Sequence, residues 1–207
     1  MANEIKKQFP TSTKRFLIGY GALFVGLSCI VLFVAQNYLR VLFITIGPDE
    51  RGVVISPFET TGYLEEPLTP GNRMIRPGEQ VEIYKIGRET YSSSSEISCC
   101  NDDSNIAIID AKDGVIITAN YRIVYSVDAK QVTMLHINWQ HRHKKEFVIP
   151  LSKLIVEEIS SKYASDEIAL SKKEEIEQAI FTELNSAFSK EGLILFDFKF
   201  EDINLKK

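Results

Sequence analysis

Asp110-Ala111-Lys112-Asp113-Gly114-Val115-Ile116-Ile117-Thr118-Ala119-Asn120-Tyr121-Arg122-Ile123-Val124-Tyr125-Ser126-Val127 is the stretch that decides the fold. Ile117, Ala119, Tyr121, Ile123, Tyr125 and Val127 share one face, and Thr118, Asn120, Arg122 and Ser126 share the other. That period of two predicts a long strand, Val115–Val127, with one side in a core. Ala111-Lys112-Asp113-Gly114 is a turn signal joining it to Ile106–Asp110 as a hairpin.

Towards the N-terminus, Val81–Ile86 and Gly52–Phe58 read as strands. Between them lies a turn-rich stretch with Gly62, Pro67, Pro70-Gly71 and Pro77-Gly78. Val41–Ile46 is apolar and β-branched; it is a first strand or an interfacial helix extension, ended by Gly47-Pro48-Asp49. Ser92–Ser95, Glu96 and Cys99–Ser104 form a polar loop. Towards the C-terminus the period changes to that of a helix. Pro150 is placed to start one helix, with Leu151, Leu154, Ile155 and Ile159 as its stripe. Ser171-Lys172-Lys173-Glu174 is a capping box before Ile176, Ile180, Leu184, Ala187 and Phe188, and Gly192 is the stop. A last strand alternates Ile194, Phe196, Phe198 and Phe200 with Leu195, Asp197, Lys199 and Glu201. The expected class is α+β, mostly antiparallel sheet with packed helices.

Hydrophobic content of 44% and charged content of 25% belong to a globular chain. A net charge of -4 argues against nucleic-acid binding, which usually needs a basic face. Lys6, Lys7, Lys14 and Arg15 against Glu4 nevertheless make residues 1–15 a basic tail. Phe16–Val34 then runs for 19 residues without a charged side chain. As a helix it spans about 28 Å, close to a bilayer's hydrocarbon core. Tyr20 and Tyr38 stand near its ends, and Ala22 and Gly26 form a small-xxx-small pair. The organisation expected is a cytoplasmic tail over 1–15, a transmembrane helix over 16–38 and a folded domain over 41–207. The positive-inside rule places the domain on the extracytoplasmic side, periplasmic or equivalent. A cleaved signal or lipoprotein signal fits less well, because the apolar run continues past Cys29 as Ile30-Val31-Leu32-Phe33-Val34-Ala35. Cys99 and Cys100 are adjacent and read as two separate thiols.

Chemistry-bearing residues concentrate in one short stretch. His136, His141 and His143 are metal candidates by residue type. Arg142, Lys144 and Lys145 beside them repel a cation, so a solvated basic patch facing a partner or lipid headgroups is the favoured reading. Trp139, the chain's one tryptophan, is a core anchor or an interface contact. Trp139, Arg142, Lys144 and Lys145 are thus the interaction and assembly candidates. Ser92–Ser95 would be the nucleophiles of a tethered hydrolase, but G-x-S-x-G is missing, as are H-E-x-x-H, P-loop and dinucleotide fingerprints. Asp102-Asp103-Ser104-Asn105 lacks calcium-loop spacing. No catalytic residue, metal site or cofactor is expected.

Several strings in this order resemble the SPFH/band 7 superfamily of stomatins, prohibitins and flotillins. Gly47-Pro48-Asp49-Glu50-Arg51-Gly52-Val53-Val54 is similar to its entry strand, and Leu68–Pro77 to its Pro-Gly…Pro connection. Asp110-x-x-Asp113-Gly114-Val115 through Tyr125-Ser126-Val127-Asp128 is similar to its central hairpin. Glu191-Gly192-Leu193-Ile194-Leu195-Phe196-Asp197-Phe198, with Ile203 beyond, looks most like prohibitin and HflC. The resemblance covers roughly residues 41–205. It implies a non-enzymatic membrane scaffold that forms homo- or hetero-oligomers with SPFH proteins. It also implies contact with membrane lipids and regulation of a membrane AAA protease. The family usually continues into a long coiled coil. The sequence stops at Lys207, so the expectation is either a truncated version or a member that assembles by the domain faces and the anchor alone. A lipid-binding module using Val41–Ile46 and the basic patch is the competing expectation.

Overall fold

The computed structural model describes residues 25–36, 43–93 and 106–206. They divide into two units, one of residues 25–36, 43–44 and 72–77, the other of residues 45–71, 78–93 and 106–206.

In the first unit, residues 25–36 form helix α1, and every one of them is exposed. Among the described residues no helix is long and apolar enough to cross a membrane. The rest of the expected span, 16–24 and 37–38, lies outside the described residues. Strand β1 (Phe43–Ile46) pairs with β3 (Gly71–Met74). Val41–Ile46 is therefore a strand from Phe43 onward, not a helix extension.

The second unit holds the core. β2 (Glu50–Ile55) pairs antiparallel with β4 (Gln80–Lys85), Gly52 facing Ile83. The expected strand over Gly52–Phe58 is thus shifted towards the N-terminus. A Cβ on Gly52 would stand 2.9 Å from both Ile46 Cδ1 and Val81 Cγ1, so close packing, not turn geometry, demands glycine there.

The main sheet is built on β7 (Ile116–Val127), the strand predicted from its alternation. Its six inward residues, Ile117 to Val127, are all buried. β5 (Glu89–Ser92) and β6 (Ala107–Asp110) share one edge of β7, and β8 (Leu193–Lys206) runs along the other. β3 and β5 escape a reading of the sequence. Their four-residue stretches show almost no apolar pattern, and in β5 only Tyr91 is buried.

β8 corrects the expected alternation. Its register with β7 shifts between Val124 and Tyr125 and again between Asn120 and Tyr121, leaving Phe196 and Glu201 as the extra residues. Each bulge reverses which face the following residues take. The buried set is therefore Leu193, Leu195, Phe198 and Phe200, while Ile194 and Phe196 are exposed.

Helix α2 (Val132–Trp139) was not foreseen, because its buried side includes Thr133 and His136. A 3-10 turn (Gln140–Arg142) and a π turn (Lys144–Val148) carry it into α3 (Ile149–Ser160). Pro150 stands in the first turn of α3, as expected, although the π turn runs into that helix without a break. The buried side of α3 is Ser152, Ile155, Val156 and Ser160, and Leu154 of the expected stripe is 58% exposed. The capping box is not made either. Ser171 closes a second π turn (Glu167–Ser171), α4 (Lys173–Lys190) begins after Lys172, and among the described residues no side chain caps its first turn. An ion pair from Lys172 to Glu167 at 2.8 Å holds that corner instead. The α4 stripe is as expected: Ile176, Ile180, Leu184 and Phe188 are fully buried. Gly192 then adopts φ +77°, which ends the helix and sends the chain into β8.

Two helix carboxylates meet outer strands of the sheet. Glu157 of α3 accepts the Ile108 N–H of β6 at 3.0 Å. Glu177 of α4 accepts the Phe200 N–H of β8 at 2.9 Å.

Candidate interaction site on the histidine segment

The candidate residues between His136 and Lys145 lie on α2 and the joint that follows it. The structure separates the three histidines by role. His136 is buried, and its Nδ1 lies 2.7 Å from the Tyr84 hydroxyl on β4. Tyr63 and Tyr84 present their rings to it edge-on. His141 is exposed, stacks on the Tyr84 ring at 4.4 Å, and pairs with Glu82 at 3.2 Å. His143 is buried, and its Nδ1 donates to the Gln140 carbonyl at 3.2 Å. Among the described residues no three His, Cys, Asp or Glu side chains converge as a metal site requires.

Electrostatics follows from burial. Desolvation holds the His136 imidazole below its usual pKa, with His141 pushing the same way and Glu82 opposing. Desolvation also lowers His143, against the Gln140 carbonyl and Glu89. The Tyr84 hydroxyl is pushed up to about 12, first by desolvation and then by Glu82 and Tyr63. It therefore stays protonated and able to donate at any ordinary pH.

Trp139 is half-buried and packs against the core. Its Nε1 donates to Glu191 at 2.8 Å, Asn138 donates to the same oxygen at 2.9 Å, and its ring lies 5.0 Å from Phe147. The helix end at Glu191 thereby fixes the position of the joint. Arg142 is exposed and pairs with Glu146 at 2.9 Å. Lys145 is exposed and Lys144 half-buried. The basic side chains thus form the outer face of a segment whose inner face is aromatic. Sequence reasoning missed Tyr63, Tyr84, Glu82 and Glu191. The only hint was a tyrosine inside an otherwise ordinary strand.

The serine run serves structure where it is described. The Ser92 hydroxyl donates to Glu201 at 2.7 Å, and buried Ser93 Oγ accepts the Tyr121 N–H at 2.9 Å. Ser94, Ser95, Cys99, Cys100 and the Asp102–Asn105 stretch lie outside the described residues.

The core sheet, the helical joint and α4 together make an α+β domain of the SPFH type. The chain matches the SPFH domain / Band 7 family over residues 44–207 and belongs to that family. A comparison with curated proteins found no match. The family is in general one of membrane-associated, non-enzymatic scaffolds.

Proposed function

We propose that this chain is a membrane-anchored SPFH scaffold that self-associates to organise membrane patches and regulates a membrane-bound AAA protease. The observation that carries this reading is the exposed apolar helix α1, which in sequence follows a basic tail and precedes the family domain. An anchor confines every copy to one plane, so weak lateral contacts act at high effective concentration. Single-pass topology with the tail cytoplasmic and the domain extracytoplasmic belongs to the same proposal. Trp139, Arg142, Lys144 and Lys145 are the residues proposed to meet partners. Cross-linking and size-exclusion in mild detergent test the assembly, and a strict monomer at every concentration would overturn it. Affinity purification from solubilised membranes tests the protease, which must be recovered with the chain.

A lipid-binding role is the second reading, favoured by Phe43 of β1, which is 55% exposed. Flotation with liposomes of residues 41–207, which keep β1 and lack the anchor, separates the two. Binding without the anchor supports the lipid module.

A further inference from the structure

Two imidazoles, His136 on α2 and His143 in the joint after it, are enclosed, and one of them has nowhere to place a second proton. His143 is 8% exposed. A carbonyl only accepts, so the Nδ1 facing the Gln140 oxygen carries the hydrogen, and Nε2 is the bare nitrogen. That Nε2 is buried with no hydrogen-bond partner among the described residues. Protonating it creates a buried cationic N–H without an acceptor, which a protein interior disfavours strongly. His136, 4% exposed, is enclosed by the Tyr63 and Tyr84 rings and already spends Nδ1 on the Tyr84 hydroxyl.

The surrounding charges do not rescue either cation. Glu89 of β5 attracts charge on His143, but the Tyr125 hydroxyl already donates to it at 3.1 Å. Glu82 of β4 attracts charge on His136 but is paired with His141. His141 opposes protonation of both, and Arg142 and Lys144 flank His143 in sequence. The backbone between them is irregular. Gln140 holds φ +52°, a left-handed conformation that a residue with a Cβ rarely takes, and the 3-10 turn it opens gives way to a π turn at Lys144.

We infer that His136–Val148 is an acid-operated latch. In mild acid His143 and His136 take up protons, the joint leaves its seat, and the surface bearing Arg142, Lys144 and Lys145 is freed while the β7 sheet stays folded. Both imidazoles are neutral in the closed joint and titrate freely once released. Above about pH 6.5, the ordinary histidine value, the closed joint carries no penalty. Below it the released form binds more protons and gains, until the pH passes the depressed closed-state values. The latch goes beyond the scaffold reading and does not depend on assembly.

Trp139 is the chain's one tryptophan and sits inside the joint, so its emission reports on it directly. In the full chain in mild detergent, its emission should shift cooperatively between about pH 7 and 5, with uptake of about two protons. Strand circular dichroism should stay unchanged over that range. Amide exchange across residues 132–148 should rise at least tenfold while β7 stays protected. His143→Gln should move the transition to lower pH and reduce the protons taken up. A flat Trp139 signal, loss of sheet signal at the same pH, or an unchanged transition in His143→Gln overturns the latch. If that variant does not fold, the wild-type exchange map decides, and uniform exchange overturns it.

Discussion

Glu177 Oε1 accepts the backbone N–H of Phe200 at 2.9 Å, and its other oxygen meets Lys199 Nζ at 3.3 Å. Phe200 directly precedes the Glu201 bulge of β8. One buried carboxylate on α4 therefore holds the strand where its register changes. Glu177→Ala leaves the Phe200 N–H without its acceptor and should cost about 1–3 kcal/mol. Glu177→Gln keeps an acceptor oxygen and should cost less. Denaturant titration of both variants ranks them, and equal loss would refute the assignment.

Asp113, in the β6–β7 turn, accepts the Ser165 hydroxyl at 2.6 Å and the Ser165 N–H at 3.0 Å. Those bonds, the hydroxyl first, hold its carboxyl below the ordinary value of 3.8. A carboxyl with a depressed folded-state pKa stabilises the fold above its unfolded value and stops doing so as pH falls through the folded one. The difference in melting temperature between wild type and Asp113→Ala should be full at neutral pH. It should shrink once the pH drops below the unfolded carboxyl value.

Gly192 combines φ +77° with a crowded site, where a Cβ would lie 3.0 Å from the Gln131 carbonyl oxygen. Gly192→Ala should destabilise by about 1–2 kcal/mol from the left-handed backbone alone. Loosening should centre on the α4–β8 corner, including the bond from Asp128 N–H to the Gly192 carbonyl at 2.9 Å. Local amide exchange at Asp128 is the measurement, and unchanged protection there would refute the corner's role.

Arg142 and Lys145 are exposed. Reversing both to Glu should change the free energy of unfolding by no more than about 0.5 kcal/mol. It should weaken whatever partner or lipid contact the joint makes. That weakening should fade at high salt, because exposed charges are screened. Cross-linking yield against ionic strength for both proteins checks it.

The sequence made some elements legible and hid others for physical reasons. β7 declared itself because Ile117, Ala119, Tyr121, Ile123, Tyr125 and Val127 recur at every second position and all of them are buried, with Ser126 of the opposite face the one departure. The α4 stripe did so because Ile176, Ile180, Leu184 and Phe188 are large and apolar at helical spacing, although the buried Glu177 beside them gave no such signal. β8 was found but its phase was misread, since a bulge adds a residue without changing composition. α2 was invisible because a threonine and a histidine occupy its inner side. The basic residues of the joint were identifiable as charges. The burial of His136 and His143 was not, because it depends on Tyr63, Tyr84 and the turn at Gln140, far away or locally irregular.

Glu157 and Glu177 carry a last implication. Each occupies a main-chain donor on a flanking strand of the sheet, at Ile108 and at Phe200. At those two positions the sheet offers an incoming strand no free donor to pair with. Neighbouring copies that met there would have to recognise each other through side chains instead of through a shared ladder. Such contacts can be rewritten one residue at a time, whereas a backbone ladder is the same for every strand.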